Sequence, residues 1–224
     1  MKAGMNIRAC IFDLDGTLLD TLRDLAEAGN AALMAGGHPA HPVDAYRHFV
    51  GDGMETLLRR ALPPGSPEEA VRRGVERMGV AYRTAWDVFT APYPGIMPML
   101  EALGIRGIPM AVLSNKPHPF TVEMVEHYFG PSRFGMVAGA KDDVPRKPHP
   151  EAALRMASAW GIAPSEIAFV GDSNVDMRTA LAAGMVAVGC PWGFRGTEEL
   201  KAAGAHLLLE APGDLLSLVA TAVR

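Results

Sequence analysis

Residues 7–21 read IRACIFDLDGTLLDT. The apolar run 9–12 is short and stops at an acid, which predicts a buried strand rather than a helical turn. Asp13 then falls at the C-terminal end of that strand, where open α/β sheets form their ligand crevice. Asp15 follows in the turn, and Gly16 lets the backbone reverse without a Cβ clash. Two carboxylates at a strand end are costly to desolvate unless a cation or a proton shares the site. The letters DLDG also fit a solvated Asp-Gly turn, so their weight depends on what the rest of the chain sets beside them.

Further along, residues 110–113, 136–138, 167–170, 186–188 and 206–209 are apolar and bounded by Gly, Pro or polar residues, as strands are. Helical patterns at 97–103, 120–129, 150–160 and 176–183 separate most of them. Strands alternating with helices predict an α/β fold, a mainly parallel sheet covered on both faces. Residues 22–89 break the alternation with helical patterns at 22–34, 54–62 and 67–88 and no convincing strand. The expectation is a helical insertion, residues 21–90, in a core made of 1–20 and 91–224, with hinges near 19–21 and 90–94. His38 and His41 in GGHPAHP lack neighbouring ligand types and read as a polar loop. No internal repeat or low-complexity tract is present.

The 224 residues are 49% apolar and 21% charged, enough for one large core or a core plus a small second domain. With 21 basic and 25 acidic residues the net charge is -4, which offers no broad footprint for nucleic acid. Cys10 and Cys190 read as small apolar residues, a usage that suits a reducing cytosol. Acids interrupt the only candidate leader, and no run approaches the length of a membrane span. The expectation is a cytoplasmic protein, monomer or homodimer, that binds no membrane and no nucleic acid.

Three polar clusters lie just after predicted strands or before helices, so the topology would bring them to the edge that holds Asp13. In Ser114-Asn115-Lys116-Pro117 a hydroxyl and backbone amides at a strand end suit a phosphate oxygen, although such strings are also ordinary turn chemistry. In Arg146-Lys147-Pro148-His149-Pro150 the two prolines are expected to hold an extended backbone and limit where Lys147 points. In Gly171-Asp172-Ser173-Asn174-Val175-Asp176, Asp172 ends a strand, and Asp176 enters the next helix as a cap or an outer metal acid. Asp13, Asp172 and Asp176 together carry three negative charges, and a phosphoryl group adds roughly two more. At about 4 Å and an effective dielectric near 20, each like-charge pair costs on the order of 4 kcal/mol. Mg²⁺ is the cofactor expected, because it takes oxygen ligands and bridges carboxylates to phosphate. Lys147 supplies the remaining positive charge.

Asp13-Leu14-Asp15-Gly16-Thr17, Ser114 after an apolar strand, Lys147 before a helix, and Gly171-Asp172 with Asp176 resemble, in order, the four motifs of the haloacid dehalogenase superfamily. Within it, FDLDGTLLDT, SNKPHPF, RKPHP and VGDSNVDM are most similar to the phosphoglycolate phosphatase branch, whose cap domain is inserted at the same place. The resemblance implies a Rossmann-like core with an all-helical cap and a Mg²⁺-dependent phosphatase that hydrolyses 2-phosphoglycolate to glycolate. Asp13 would be the nucleophile, forming an aspartyl-phosphate, and Asp15 the acid and base. Mg²⁺ would sit on the Asp13 side chain, the Asp15 carbonyl and Asp172, with Asp176 behind them. Ser114, the Asn115 amide and Lys147 would grip the phosphoryl oxygens. Asp15 distinguishes a phosphotransferase from a dehalogenase, which does not need a leaving-group acid.

Substrate choice is expected from the cap: Gly51, Asp52 and Gly53 open a helix whose amides suit a substrate carboxylate, with Arg47 or Arg59 adding charge. The turn is equally readable as a plain helix start. Trp192-Gly193-Phe194-Arg195-Gly196 is expected to line the entrance or to anchor its own loop. Three alternatives remain: a phosphosugar mutase of the β-phosphoglucomutase kind, a pyrophosphatase, and a non-enzymatic Asp phosphoacceptor. Thr17-Leu18-Leu19 leans toward the phosphatase over the mutase. Receiver-type phosphoacceptors lack both the helical insertion and the second acid.

Overall fold

A computed structural model describes residues 6–219. The chain runs β1 (Ala9–Phe12), β2 (Leu19–Asp20), α1 (Leu22–Ala35), α2 (Tyr46–Phe49), α3 (Met54–Ala61), α4 (Glu68–Thr84), β3 (Ala91–Pro92) and α5 (Ile96–Ile105). It continues through β4 (Met110–Pro117), α6 (His118–Phe129), β5 (Met136–Ala140), α7 (Glu151–Trp160), β6 (Ile167–Gly171), α8 (Asn174–Ala182), β7 (Val186–Gly189), α9 (Thr197–Ala202) and β8 (Leu207–Leu208). It divides into two compact units: Met1–Leu18 with Pro92–Arg224, and Leu19–Ala91.

In the first unit, β5, β4, β1, β6, β7 and β8 lie in that order in one sheet. Every pairing described between these strands is parallel. A parallel sheet buried on both faces needs apolar residues on both sides of each strand, and all four residues of β1 are buried. Ile11 and Phe169 pack on one face with Ala111, Met156 and Met177. On the other, Phe12 meets Phe134 edge to face, with ring centroids 6.3 Å apart. Cys10 and Cys190 are buried free thiols, and burial pushes the Cys10 thiol up to about 12. They serve as small core residues.

β4 is longer than its apolar letters predict, running four residues further to Pro117 and so taking in Ser114, Asn115 and Lys116. Its pairing with β5 shifts register between Leu113 and Pro117. α9 was not anticipated, because six mostly polar residues carry only one buried anchor, Leu200.

The second unit is helical, with α1 against α4 and α3 against α4. Tyr46 is fully buried, and its hydroxyl donates to Asn30 Oδ1 at 3.0 Å. Asn30 also clamps the backbone of His41, and the His41 ring lies 2.7 Å from the Ala61 carbonyl. The histidine loop is thereby stitched to two helices. α4 stops at Thr84 rather than continuing to Val88. Asp24, buried in the first turn of α1, accepts hydrogen bonds from the Phe89 N–H and from the N–H and hydroxyl of Thr90. The carboxylate ties the segment that follows α4 to α1. The hinge segments expected at 19–21 and 90–94 contain the short strands β2 and β3, which pair with each other.

Candidate active site

Strand register explains why distant motifs meet. Phe12 is level with Val112 on one side and Val170 on the other. Asp13 and Asp172 follow the last residues of β1 and β6, and Ser114 lies two residues past Val112 within β4, so the three sit at the same edge of neighbouring parallel strands. Gly16 turns the chain after β1 at φ +84°, and a Cβ there would come within 2.2 Å of Asp172 Oδ2. Close approach of the first and last motifs thus requires glycine.

Lys147 arrives from a loop. The Asn115 side chain donates to the Lys147 carbonyl at 3.0 Å and accepts from the Lys147 N–H at 2.9 Å. The segment is not the extended chain its prolines suggested: His149 N–H donates back to the Arg146 carbonyl at 2.9 Å, and the Lys147–Pro148 peptide is cis. What holds the backbone at Lys147 is the Asn115 side chain.

The ammonium of Lys147 lies 2.8 Å from Asp13 Oδ1 and 2.7 Å from Asp176 Oδ1. Asp176 is at the third position of α8. Its other oxygen accepts from the N–H and the hydroxyl of Ser173, at 3.1 and 2.6 Å, completing a capping box. Asp172 Oδ2 accepts from the Phe194 N–H at 2.7 Å, and the Trp192 indole donates to the Thr17 carbonyl at 3.1 Å. The aromatic loop after β7 therefore backs Asp172 and the first motif's turn, the anchoring reading of the two its sequence allowed.

Asp13, Asp172 and Asp176 are all buried and offer oxygens within 4.8 Å of one another. Burial raises the proton affinity of Asp13 to about 7; Asp176 adds to the rise and Lys147 opposes it. Burial, then Asp176 and Asp13, also raises Asp172 well above the ordinary carboxylate range, against the Phe194 N–H and Lys147. Burial alone would lower the Lys147 ammonium, but the charges of Asp13 and Asp176 outweigh it and hold the group above its usual value. One ammonium does not neutralise three buried acids. The shortfall of positive charge and the all-oxygen donor set together fit a hard divalent cation.

A second lysine completes the picture and was not assigned from the sequence. Lys116 Nζ lies 3.0 and 3.1 Å from the two carboxyl oxygens of Asp15. The sequence offers no local signal for this pairing, because Lys116 lies in the part of β4 where the register shifts and simple period-two alternation does not apply.

The residues expected to select substrate lie in the helical unit. Asp52, in the turn before α3, receives Arg60 Nη2 at 2.5 Å, and Arg47 Nε is 3.3 Å from Asp44 Oδ1. Gly51 and Gly53 flank Asp52, both at positive φ. Arg59 is engaged by Glu55 and Glu68.

Comparison with known proteins agrees with this geometry. The family model for haloacid dehalogenase-like hydrolases matches residues 7–184. The chain belongs to that family. A phosphoglycolate phosphatase of Pseudomonas putida is 33% identical over 217 residues, covering 95% of this chain and 78% of the relative. One from Escherichia coli is 32% identical over 231 residues, covering 94% of this chain and 92% of the relative. A crystal structure from Lactobacillus delbrueckii subsp. bulgaricus, provisionally assigned as a phosphoglycolate phosphatase, superposes with a TM-score of 0.89 at 30% identity. The match covers 94% of this chain and 97% of that one. The protein is thus a phosphatase of the phosphoglycolate phosphatase-like branch, acting on small phosphorylated substrates. No helix among the described residues is long and apolar enough to cross a membrane.

Proposed function

We propose that this phosphatase hydrolyses 2-phosphoglycolate to glycolate and inorganic phosphate, with Mg²⁺, through an aspartyl-phosphate on Asp13. The observation that carries this reading is the buried cluster of Asp13, Asp172 and Asp176 at the sheet's C-terminal edge, with the Lys147 ammonium against Asp13 and Asp176. Asp13, Asp172 and the Asp15 carbonyl would hold the ion, which when bound supplies the charge that lets a carboxylate approach an anionic phosphoryl group.

Asp13 attacks phosphorus as the ester P–O bond breaks, and Asp15 gives a proton to the departing oxygen. In the second half Asp15 takes a proton from the water that cleaves the acyl-phosphate. Ser114, the Asn115 backbone amide and Lys147 hold the phosphoryl oxygens. Asp176 orients Lys147 from its capped position on α8. The helical unit serves as the cap, and Gly51, Asp52, Gly53 and Arg47 are its substrate-selecting group, suited to a carboxylate on the substrate.

The test is Mg²⁺-dependent release of inorganic phosphate across a panel of small esters, with 2-phosphoglycolate expected to lead. Isomerisation of a sugar phosphate without net phosphate release, or preference for pyrophosphate, would replace this reading. Asp13→Asn is expected to abolish turnover; full activity in that variant would end the covalent route.

A further inference from the structure

Four acids crowd the sheet edge, and two lysines divide them. Lys147 takes Asp13 and Asp176, while Lys116 takes both oxygens of Asp15. Lys116 is buried and its backbone is pinned on both sides: its N–H donates to Ser114 Oγ at 3.2 Å, and Thr121 Oγ1 donates to its carbonyl at 3.1 Å. Its ammonium is therefore a fixed charge rather than a wandering one. Among the described residues, the carboxylates that converge within 4.8 Å are Asp13, Asp172 and Asp176, and Asp15 is not among them. Yet Asp15 is close enough to raise the proton affinity of Asp13. A carboxylate that near would be drawn to any cation its neighbours bind, unless another positive group held it.

We propose that Lys116 is a positioning residue that holds the Asp15 carboxyl apart from the metal-type cluster and reserves it for the oxygen that leaves phosphorus. The inference rests on reading Asp15 as the leaving-group acid. Before the first transfer one Asp15 oxygen exchanges its Lys116 hydrogen bond for a proton from solvent; the Asp13 oxygen then bonds to phosphorus, the ester oxygen departs with its electron pair, and that proton moves to it. The Asp15 carboxylate left behind accepts again from Lys116 until water returns the proton in the second transfer.

The experiment compares kcat/KM for a simple alkyl phosphate and for p-nitrophenyl phosphate, in the full chain with Mg²⁺. kcat/KM reports the step in which the leaving group departs, and an alkoxide needs a proton where a nitrophenolate does not. Changes in phosphate grip or in the folded fraction lower both substrates equally and cancel in the ratio. In Lys116→Met the alkyl ester is expected to lose at least about tenfold more than the aryl ester. Lys116→Arg should restore most of the ratio. Lys116→Gln, read by the same ratio, serves if the methionine variant does not fold. Equal losses for the two esters, or none, alongside a biased Asp15→Asn protein overturn the role of Lys116. An Asp15→Asn protein without the bias overturns the acid assignment, and the role of Lys116 with it.

Discussion

In the α/β unit the ammonium groups of Lys116 and Lys147 belong to side chains only 3% exposed, each against carboxylates from distant parts of the chain. In the helical unit, Arg59 and Arg60 pair with local acids while remaining 41% and 38% exposed. The chemistry of the pairs is similar, but the medium differs. Water and salt screen the helical pairs, so their net contribution is small. The buried groups have lost their hydration, so each depends on its partner and removing one strands the other. The first arrangement is a buried, strongly coupled set of charges; the second is a solvated, weakly coupled one.

The most severe way to break this contrast is Lys147→Met. It leaves Asp13 and Asp176 buried without their ammonium, and it is expected to abolish phosphatase activity and to cost about 3–5 kcal/mol by chemical denaturation. A smaller effect follows from pH. Burial lifts the Asp13 carboxyl from 3.8 to about 7, so the folded chain binds that proton more tightly than the unfolded one. Its stabilisation is complete below about pH 4 and is lost as pH rises through 7. Chelated protein should therefore lose stability between pH 5 and pH 8, on the order of a few kcal/mol. Added divalent ion should reverse the loss, and Asp13→Asn should flatten it; thermal melts across that range read all three.

Next comes Gly171→Ala. A Cβ there would lie 2.2 Å from Asp176 Cβ, so α8 must retreat or the cap must break. The expected cost is about 1–3 kcal/mol, with a reduced kcat. At the other end, Arg59→Ala removes the pairs to Glu55 and Glu68 and should leave the melting temperature unchanged within error. A large loss there would mean that the helical unit depends on its surface charges after all.

Much of this was legible in the letters because each signal was local. β1 occupies residues 9–12 as read, since an apolar run ended by an acid has few other conformations available. A capping role for Asp176 was legible from its place after a strand end, but α8 starts two residues before the expected 176, with Ser173 as its N-cap and Asp176 as the reciprocal acid of the capping box. Non-local features were not. The pairing of Lys116 with Asp15 joins residues 101 positions apart, and nothing in SNKP marks its lysine as buried. The clamp of Asn115 on Lys147 likewise overrode the prolines beside it. The hold of Asp24 on Phe89 and Thr90 also joins residues 65 and 66 positions apart.

What the amino-acid order determined by itself was the alternation of strands and helices, the helical insertion after the first strand, and the set of acids at strand ends. Periodicity, turn chemistry and the cost of an unpaired carboxylate act over a few residues, so they can be read without coordinates. Which lysine meets which acid was decided only in three dimensions. That choice depends on strand register and on burial, which together turn weak surface attractions into strong, selective ones.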